Sequence, residues 1–163
     1  MPADRDTFLK TMSNVASTVT VVTSTSESGE HSGLTVSAFS SVSLDPPLVL
    51  VCIGKESASV DALLANAGFT VNFLTRGSDA IAMRLASRSD DKFTGLEMSQ
   101  PSVAGAGPVL VDSTFAYFAC TTRQKIEAGD HWILVGQVDE AEVEENPDPP
   151  LVYHRRLFVL LDE

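Results

Sequence analysis

A mainly β domain, a barrel of about six or seven strands with a few short helices at its periphery, is the fold this sequence predicts. Three observations predict it. Runs of β-branched and apolar residues recur from residue 19 to residue 160. Clusters of Gly, Pro, Asn, Asp and Ser separate them. Helical periodicity surfaces only in short stretches, too few to build a helical layer.

Phe8, Met12 and Val15 share one helical face, so a short amphipathic helix opens the chain. Residues 19–23 (Val-Thr-Val-Val-Thr) are β-branched throughout. A Ser/Glu/Gly turn over 24–32 and a strand over 34–39 complete a hairpin. Asp45-Pro46-Pro47 breaks the chain, because proline lacks a backbone donor and restricts the residue before it. The apolar run 48–53 then reads as a buried strand. Serines at the start and Gly68 at the end bound a helix over 57–67, and 69–74 returns to strand. Ile81, Ala82 and Leu85 mark a second internal helix over 78–87, and 100–108 is a Gly/Pro/Ala/Ser loop. Three longer strands follow, 114–123, 132–143 and 151–160, separated by Glu127-Ala-Gly and Asn146-Pro-Asp-Pro-Pro. No repeat, low-complexity tract or compositional shift marks a linker, so residues 1–163 read as a single domain.

The chain carries 11 Lys plus Arg against 22 Asp plus Glu, a formal net charge of -11, which argues against nucleic acid and anionic membrane surfaces as partners. No stretch approaches the roughly 20 apolar residues of a membrane helix, and residues 1–10 lack a basic-then-apolar signal pattern, so the expected address is cytoplasmic. Cys52 and Cys120 each lie inside an apolar run and read as reduced core residues. The three histidines, His31, His131 and His154, show no metal-ligand spacing, and no metal is expected.

Neither G-x-G-x-x-G nor G-x-x-x-x-G-K-[ST] occurs, so a bound nucleotide would need another cradle. The densest signal is residues 33–48, Gly-Leu-Thr-Val-Ser-Ala-Phe-Ser-Ser-Val-Ser-Leu-Asp-Pro-Pro-Leu. There Thr35, Ser37, Ser40, Ser41 and Ser43 offer compact donors and acceptors suited to a flat polar ring and a ribityl chain. A solvated edge strand would show the same pattern. Gly54-Lys55-Glu56-Ser57-Ala58-Ser59 places an ammonium, hydroxyls and free N–H groups at a helix start, which suits a phosphate; the plainer reading is a capped helix with a solvated lysine. His131, in Gly129-Asp-His-Trp-Ile133, stands at a strand entrance, where a lone histidine is more often structural. With no G-x-S-x-G, a Ser-His-Asp triad has no elbow to sit on.

Taken together these stretches resemble the short-chain flavin reductase family, the reductase components of two-component flavin-dependent monooxygenases. The matching segments include Phe8 with Met12, residues 19–23 and 33–48, and Lys55-x-Ser57. Further along they are Phe69-Thr-Val-Asn72-Phe-Leu74, Asp91-Lys-Phe-Thr-Gly95, Gly129-Asp-His131-x-Ile-x-x-Gly136-x-Val138 and Pro150-Leu-Val-Tyr-His154. The resemblance covers residues 8–158. It implies an FMN-binding split β-barrel of Greek-key type that forms a homodimer, with FMN or FAD in a groove near the subunit contact and NADH or NADPH as co-substrate. Leu34, Thr35, Val36, Ser37, Ala38 and Ser41 would face the flavin, Val51, Cys52 and Ile53 would lie alongside it, and Lys55, Ser57 and Ser59 would hold its phosphate. Arg88 and Lys92 would serve the phosphate or the adenine side, and His131 the nicotinamide. Asn72 could be structural or touch the ring. Hydride passes directly between the two cofactors in this family, so no catalytic side chain is expected.

The same resemblance implies transient transfer of reduced flavin to a monooxygenase component. It also leaves two relatives on the same scaffold: a reductase acting directly on a substrate such as a cobalt corrinoid, and a non-enzymatic flavin-binding protein. Three departures from the family pattern stand out. Thr18 replaces a usual glycine, Ala38 a common serine, and Arg156-Leu157 the usual Gly-x before an aromatic.

Overall fold

The computed structural model describes residues 1–161. Helix α1 (Arg5–Ser13) begins where the Asp4 carboxylate accepts from Thr7 N–H at 2.9 Å, and buries none of its residues. There follow β1 (Ser17–Thr18), β2 (Thr20–Thr25), β3 (His31–Val36), β4 (Phe39–Leu44), β5 (Pro47–Gly54), α2 (Val60–Ala65), β6 (Gly68–Leu74) and α3 (Asp79–Ala86). The second half adds β7 (Met98–Ser99), β8 (Val109–Leu110), the long pair β9 (Thr114–Ala128) and β10 (His131–Val143), and the hairpin β11 (Val152–His154) with β12 (Leu157–Val159).

Seven strands form one antiparallel sheet in the order β3-β2-β6-β9-β10-β5-β4. Its two outer strands, β3 and β4, are joined by Ser37 and Ala38 alone, so the sheet has to curl until its edges meet. The Cys52 N–H donates to Ala38 O at 2.9 Å, which carries the β4–β5 pairing one residue past Phe39 and holds the break against β5. The barrel so formed is split: edge meets edge through a strand break, not through a ladder.

Period-two alternation decides what fills it. Along β5, Val49, Val51 and Ile53 point inward at 3%, 0% and 1% exposure and meet Val22, Val36, Phe69 and Leu134 in the main core. Strand β2 is buried on both faces. Val22 joins the main core, while Val19 and Val21 turn outward into a second cluster with Leu74, Leu110 and the inward residues Ala82 and Leu85 of α3. Asn72 of β6, fully buried, fastens this second layer. Its Nδ2 donates to Val21 O at 3.2 Å and Pro108 O at 3.4 Å, and its Oδ1 accepts from Leu110 N–H at 3.0 Å and Thr114 Oγ1 at 3.3 Å. Its role in this chain is therefore structural.

The main elements expected from sequence are found, and three of the differences bear on the site. The strand expected over 34–39 breaks at Ser37 and Ala38, because the barrel seam falls there. The helix expected from residue 57 starts three residues later, because the Ser59 hydroxyl donates to Gly33 O at 2.8 Å instead of capping its own helix. The strand expected over 151–160 folds back as a hairpin around Arg155 and Arg156, at φ 50° and 65°. Among the described residues no helix is long and apolar enough to cross a membrane.

Candidate functional site

Strand β3 and the break after it run between two clefts. The first, of 260 Å³, lies between β3, the turn before α2 and the end of α3, and Leu34, Thr35, Ser57, Arg88 and Lys92 line it. The second, of 630 Å³, opens beyond the break, between Ser37, Ala38 and Phe39 on one side and α1 on the other. Five of the residues expected at a flavin thus meet in one cleft, and Ser37 and Ala38 stand in the next.

Lys92 dominates the first cleft. It is 7% exposed, and its Nζ donates to Gly33 O at 3.0 Å and Leu85 O at 3.1 Å. An ammonium has three donors, so one remains for an anion in the cleft. Burial holds its pKa below the ordinary lysine value of 10.5. Gly33 O accepts from both Lys92 and Ser59, and a Cβ on Gly33 would come 2.9 Å from Phe93 Cζ and 3.2 Å from Leu85 Cδ1, so glycine lets the Phe93 ring pack closely against the strand. The Thr35 hydroxyl donates to Ala82 O of α3. A hydroxyl has one proton, so Thr35 and Ser59 fasten the cleft walls and can only accept from a ligand. Ser59 lines an adjoining cleft of 290 Å³ together with Lys92.

Other expected residues stand elsewhere. The side chains of Val36, Val51 and Ile53 turn into the barrel core, so only their backbone can meet a ligand; a strand cannot send 51, 52 and 53 to one face. Cys52 faces outward, with its thiol pKa raised by burial; Cys120 is inside, its thiol pushed up to about 12 by burial. Both stay protonated near neutral pH. Ser41 lies exposed on the edge strand β4. Lys55 and His131 gather at the mouth of the β9–β10 hairpin. Lys55 Nζ pairs with Glu127 there, and His131 Nδ1 lies 2.7 Å from Asp130 Oδ1, whose pKa that contact lowers. Neither lines the two clefts.

Residues not singled out as contacts complete the walls: Glu56 and Ser87 in the first cleft, Leu9, Tyr153 and Arg156 in the second. Glu56 and Tyr153 stood inside quoted motifs without a role, and Arg156 stood out as a departure. Among the described residues no group of three or more His, Cys, Asp or Glu is placed to hold a metal ion. The donor set fits a different guest: the Lys92 and Arg88 cations and the Ser57 hydroxyl, near an apolar slot, suit a phosphate joined to a flat ring.

Residues 12–161 match the protein family described as flavin reductase like domain. The chain belongs to that family. It is 39% identical over 155 residues to a flavin reductase (NADH) of Kitasatospora aureofaciens, covering 95% of this chain and 81% of the relative. It is 33% identical over 153 residues to HsaB, the reductase subunit of a flavin-dependent monooxygenase of Mycobacterium tuberculosis, covering 93% and 80%. The solved structure of the Streptomyces globisporus C-1027 NADH:FAD oxidoreductase SgcE6, in complex with NAD and FAD fragments, matches at a TM-score of 0.89 and 30% identity, over 99% of this chain and 95% of that one. The mainly β split barrel with short peripheral helices is thus this flavin reductase family's fold, as the sequence led us to expect.

Proposed function

We propose that the chain is an NAD(P)H:flavin oxidoreductase that reduces FMN or FAD and releases it to a separate monooxygenase component. The observation that carries this reading is the pair of clefts joined through Thr35–Ala38, cationic on one side and ring-sized on the other. The flavin, when bound, supplies the redox chemistry by accepting hydride from the nicotinamide. The chain's own task is to bind, orient and exclude water.

Lys92 and Arg88 hold the phosphate, with Lys92 fixed in advance by two carbonyls. Holding a cation in place beforehand spares the ordering cost that a mobile surface lysine would incur on binding. Ser37 and Ala38 are exposed at the strand break, outside the regular ladder. Their amide groups are placed to meet the polar edge of the ring, and donors there favour the negative charge that grows on reduction. The missing hydroxyl at Ala38 leaves this backbone role intact. Leu9, Met12 and Phe39 supply the apolar wall that keeps water from the rings. His131, exposed at the hairpin mouth, serves the nicotinamide only if that hairpin leans toward the ring cleft or a second subunit brings it there.

A homodimer fits the exposed apolar residues of the edge strand, where Val42 is 49% and Leu44 92% exposed. A single domain over residues 1–163 and a cytoplasmic setting belong to the same reading. The test is nicotinamide oxidation by purified protein with and without added flavin. Fast turnover only with flavin added supports a diffusible-flavin reductase. Flavin binding without turnover overturns it in favour of a binding protein, and turnover only with a non-flavin acceptor overturns it in favour of a direct reductase.

A further inference from the structure

The ring cleft has one charged residue in its wall, Arg156. The rest of that wall, including Leu9, Met12, Ser37, Phe39 and Tyr153, is neutral. Arg156 also lines a neighbouring cleft of 300 Å³, bounded by Asp6, Leu9, Lys10, Ser13, Arg155 and Arg156. Three of the chain's 11 basic residues therefore meet in this annex, against one acid, in a molecule with a net charge of -11. A local excess of positive charge on so acidic a protein marks a place for an anion.

The backbone that delivers Arg156 there is unusual. His154 pairs with Leu157, so Arg155 and Arg156 are the two central residues of a tight turn, at φ 50° and 65°. Both lie in the left-handed region, where Asn-Gly pairs are at home and a long side chain is disfavoured. Arg155 is fixed by its Nε–H donating to Asn14 Oδ1 at 2.9 Å and its N–H donating to Ser13 O at 2.8 Å, which ties the turn to α1. Arg156 has no such intramolecular duty among the described hydrogen bonds and ion pairs. Positive φ at both positions is what closes a two-residue hairpin, and the turn presents the Arg156 side chain, with no internal partner among the described contacts, to the two clefts that it lines.

We propose that Arg156 recognises a phosphate of the nicotinamide dinucleotide, with the annex of Lys10 and Arg155 receiving the phosphate-bearing end while the nicotinamide lies in the ring cleft. The inference rests on the reading of the two larger clefts as one reductase site. It assigns the flavin phosphate to Lys92 and the dinucleotide phosphates to Arg156, at opposite ends of Thr35–Ala38. Arg156 is a specificity residue in this assignment and not a catalytic one.

The test compares R156Q, R156G and R156K. R156Q removes the charge and keeps the disfavoured conformation, R156G removes both, and R156K keeps both. For R156Q and R156G we expect the KM for NADH to rise about five- to twentyfold, kcat to change less than about twofold, and the flavin Kd to stay as in the wild type. R156K retains most of the affinity. Titration with ADP-ribose, which carries the diphosphate without the nicotinamide, should show the same loss in R156Q. R156G is also expected to keep or raise Tm, because glycine accepts the left-handed conformation, whereas loss of a structural residue would lower it. A loss equal for NADH and NADPH assigns Arg156 to the diphosphate, and a larger loss for NADPH assigns it to the 2′-phosphate. The proposal fails if R156Q keeps the wild-type KM for both, or if flavin affinity falls instead. If the wild type itself does not oxidise NADH with flavin added, the reductase reading fails and not merely this assignment.

Discussion

On the side of β3 where we place the flavin phosphate, three polar groups are tied down before any ligand arrives: Lys92 by Gly33 O and Leu85 O, Ser59 by Gly33 O, Thr35 by Ala82 O. On the ring side, beyond the break at Ser37, the walls are loose. Met12 of α1 and Val15 just after it are 49% and 51% exposed, and α1 buries none of its residues. The first region is a socket built by the fold, and the second is a slot whose far wall rests on few contacts. The contrast matches two tasks. A flavin phosphate needs a fixed counter-charge, while a slot that admits two flat cofactors and releases one of them gains from a wall that can yield.

The largest effect should come from undoing the layer that makes the socket rigid. Asn72→Ala strands the buried Leu110 N–H, takes the acceptor from the Thr114 hydroxyl and removes a donor from Val21 O, while Pro108 O keeps the Thr23 hydroxyl. It is expected to cost about 3–4 kcal/mol of stability, read as a fall in the denaturation midpoint with little change in slope. A loss below about 1 kcal/mol would show that α3 and the 98–110 segment are held chiefly by apolar packing.

Lys92→Met tests the socket itself. FMN affinity should fall about ten- to hundredfold, the worth of a hydrogen bond between charged groups, while riboflavin, which lacks the phosphate, should bind as before. Equal losses for both flavins would make Lys92 a structural strut only. The pH dependence sharpens this. Because burial lowers the pKa of Lys92, its ammonium is lost below the ordinary value of 10.5. FMN binding should therefore weaken as pH rises through that lowered pKa, and riboflavin binding should show no step there. For stability the sign is opposite. The unfolded chain binds the proton more tightly, so between the lowered pKa and 10.5 this group favours the folded state increasingly as pH rises.

Much of the scaffold was legible because barrel strands announce themselves: residues 19–23 are β-branched, and Asp45-Pro46-Pro47 can only be a break. Other features were not. Nothing in the composition says that Lys92 is buried, since lysine is almost always at the surface; it is held there by the carbonyls of Leu85 and of Gly33, the latter 59 residues earlier. The Arg155-Arg156 turn carries no Gly or Asn to signal it, so one long strand was the natural reading. For Val51 and Ile53, expected alongside a flavin, the structure leaves only the backbone to face a ligand, because both side chains are in the core. Period-two alternation already put them on the face opposite Cys52, and the family correspondence, which treats 51–53 as a block, obscured it.

The smallest effect should come from the yielding wall. Met12→Ser polarises a residue that is half exposed in this chain, so the fold alone should lose less than about 0.5 kcal/mol. Thermal denaturation at several protein concentrations then separates two situations. If α1 serves only as a wall of the ring cleft, Tm stays near the wild-type value at every concentration and the change surfaces in ligand binding. If a second subunit closes over α1, the substitution weakens that contact, and Tm falls most steeply on dilution, because association stabilises the folded state by mass action. A concentration-dependent loss would mean that the slot is half of a composite site, with its outer wall supplied by the partner.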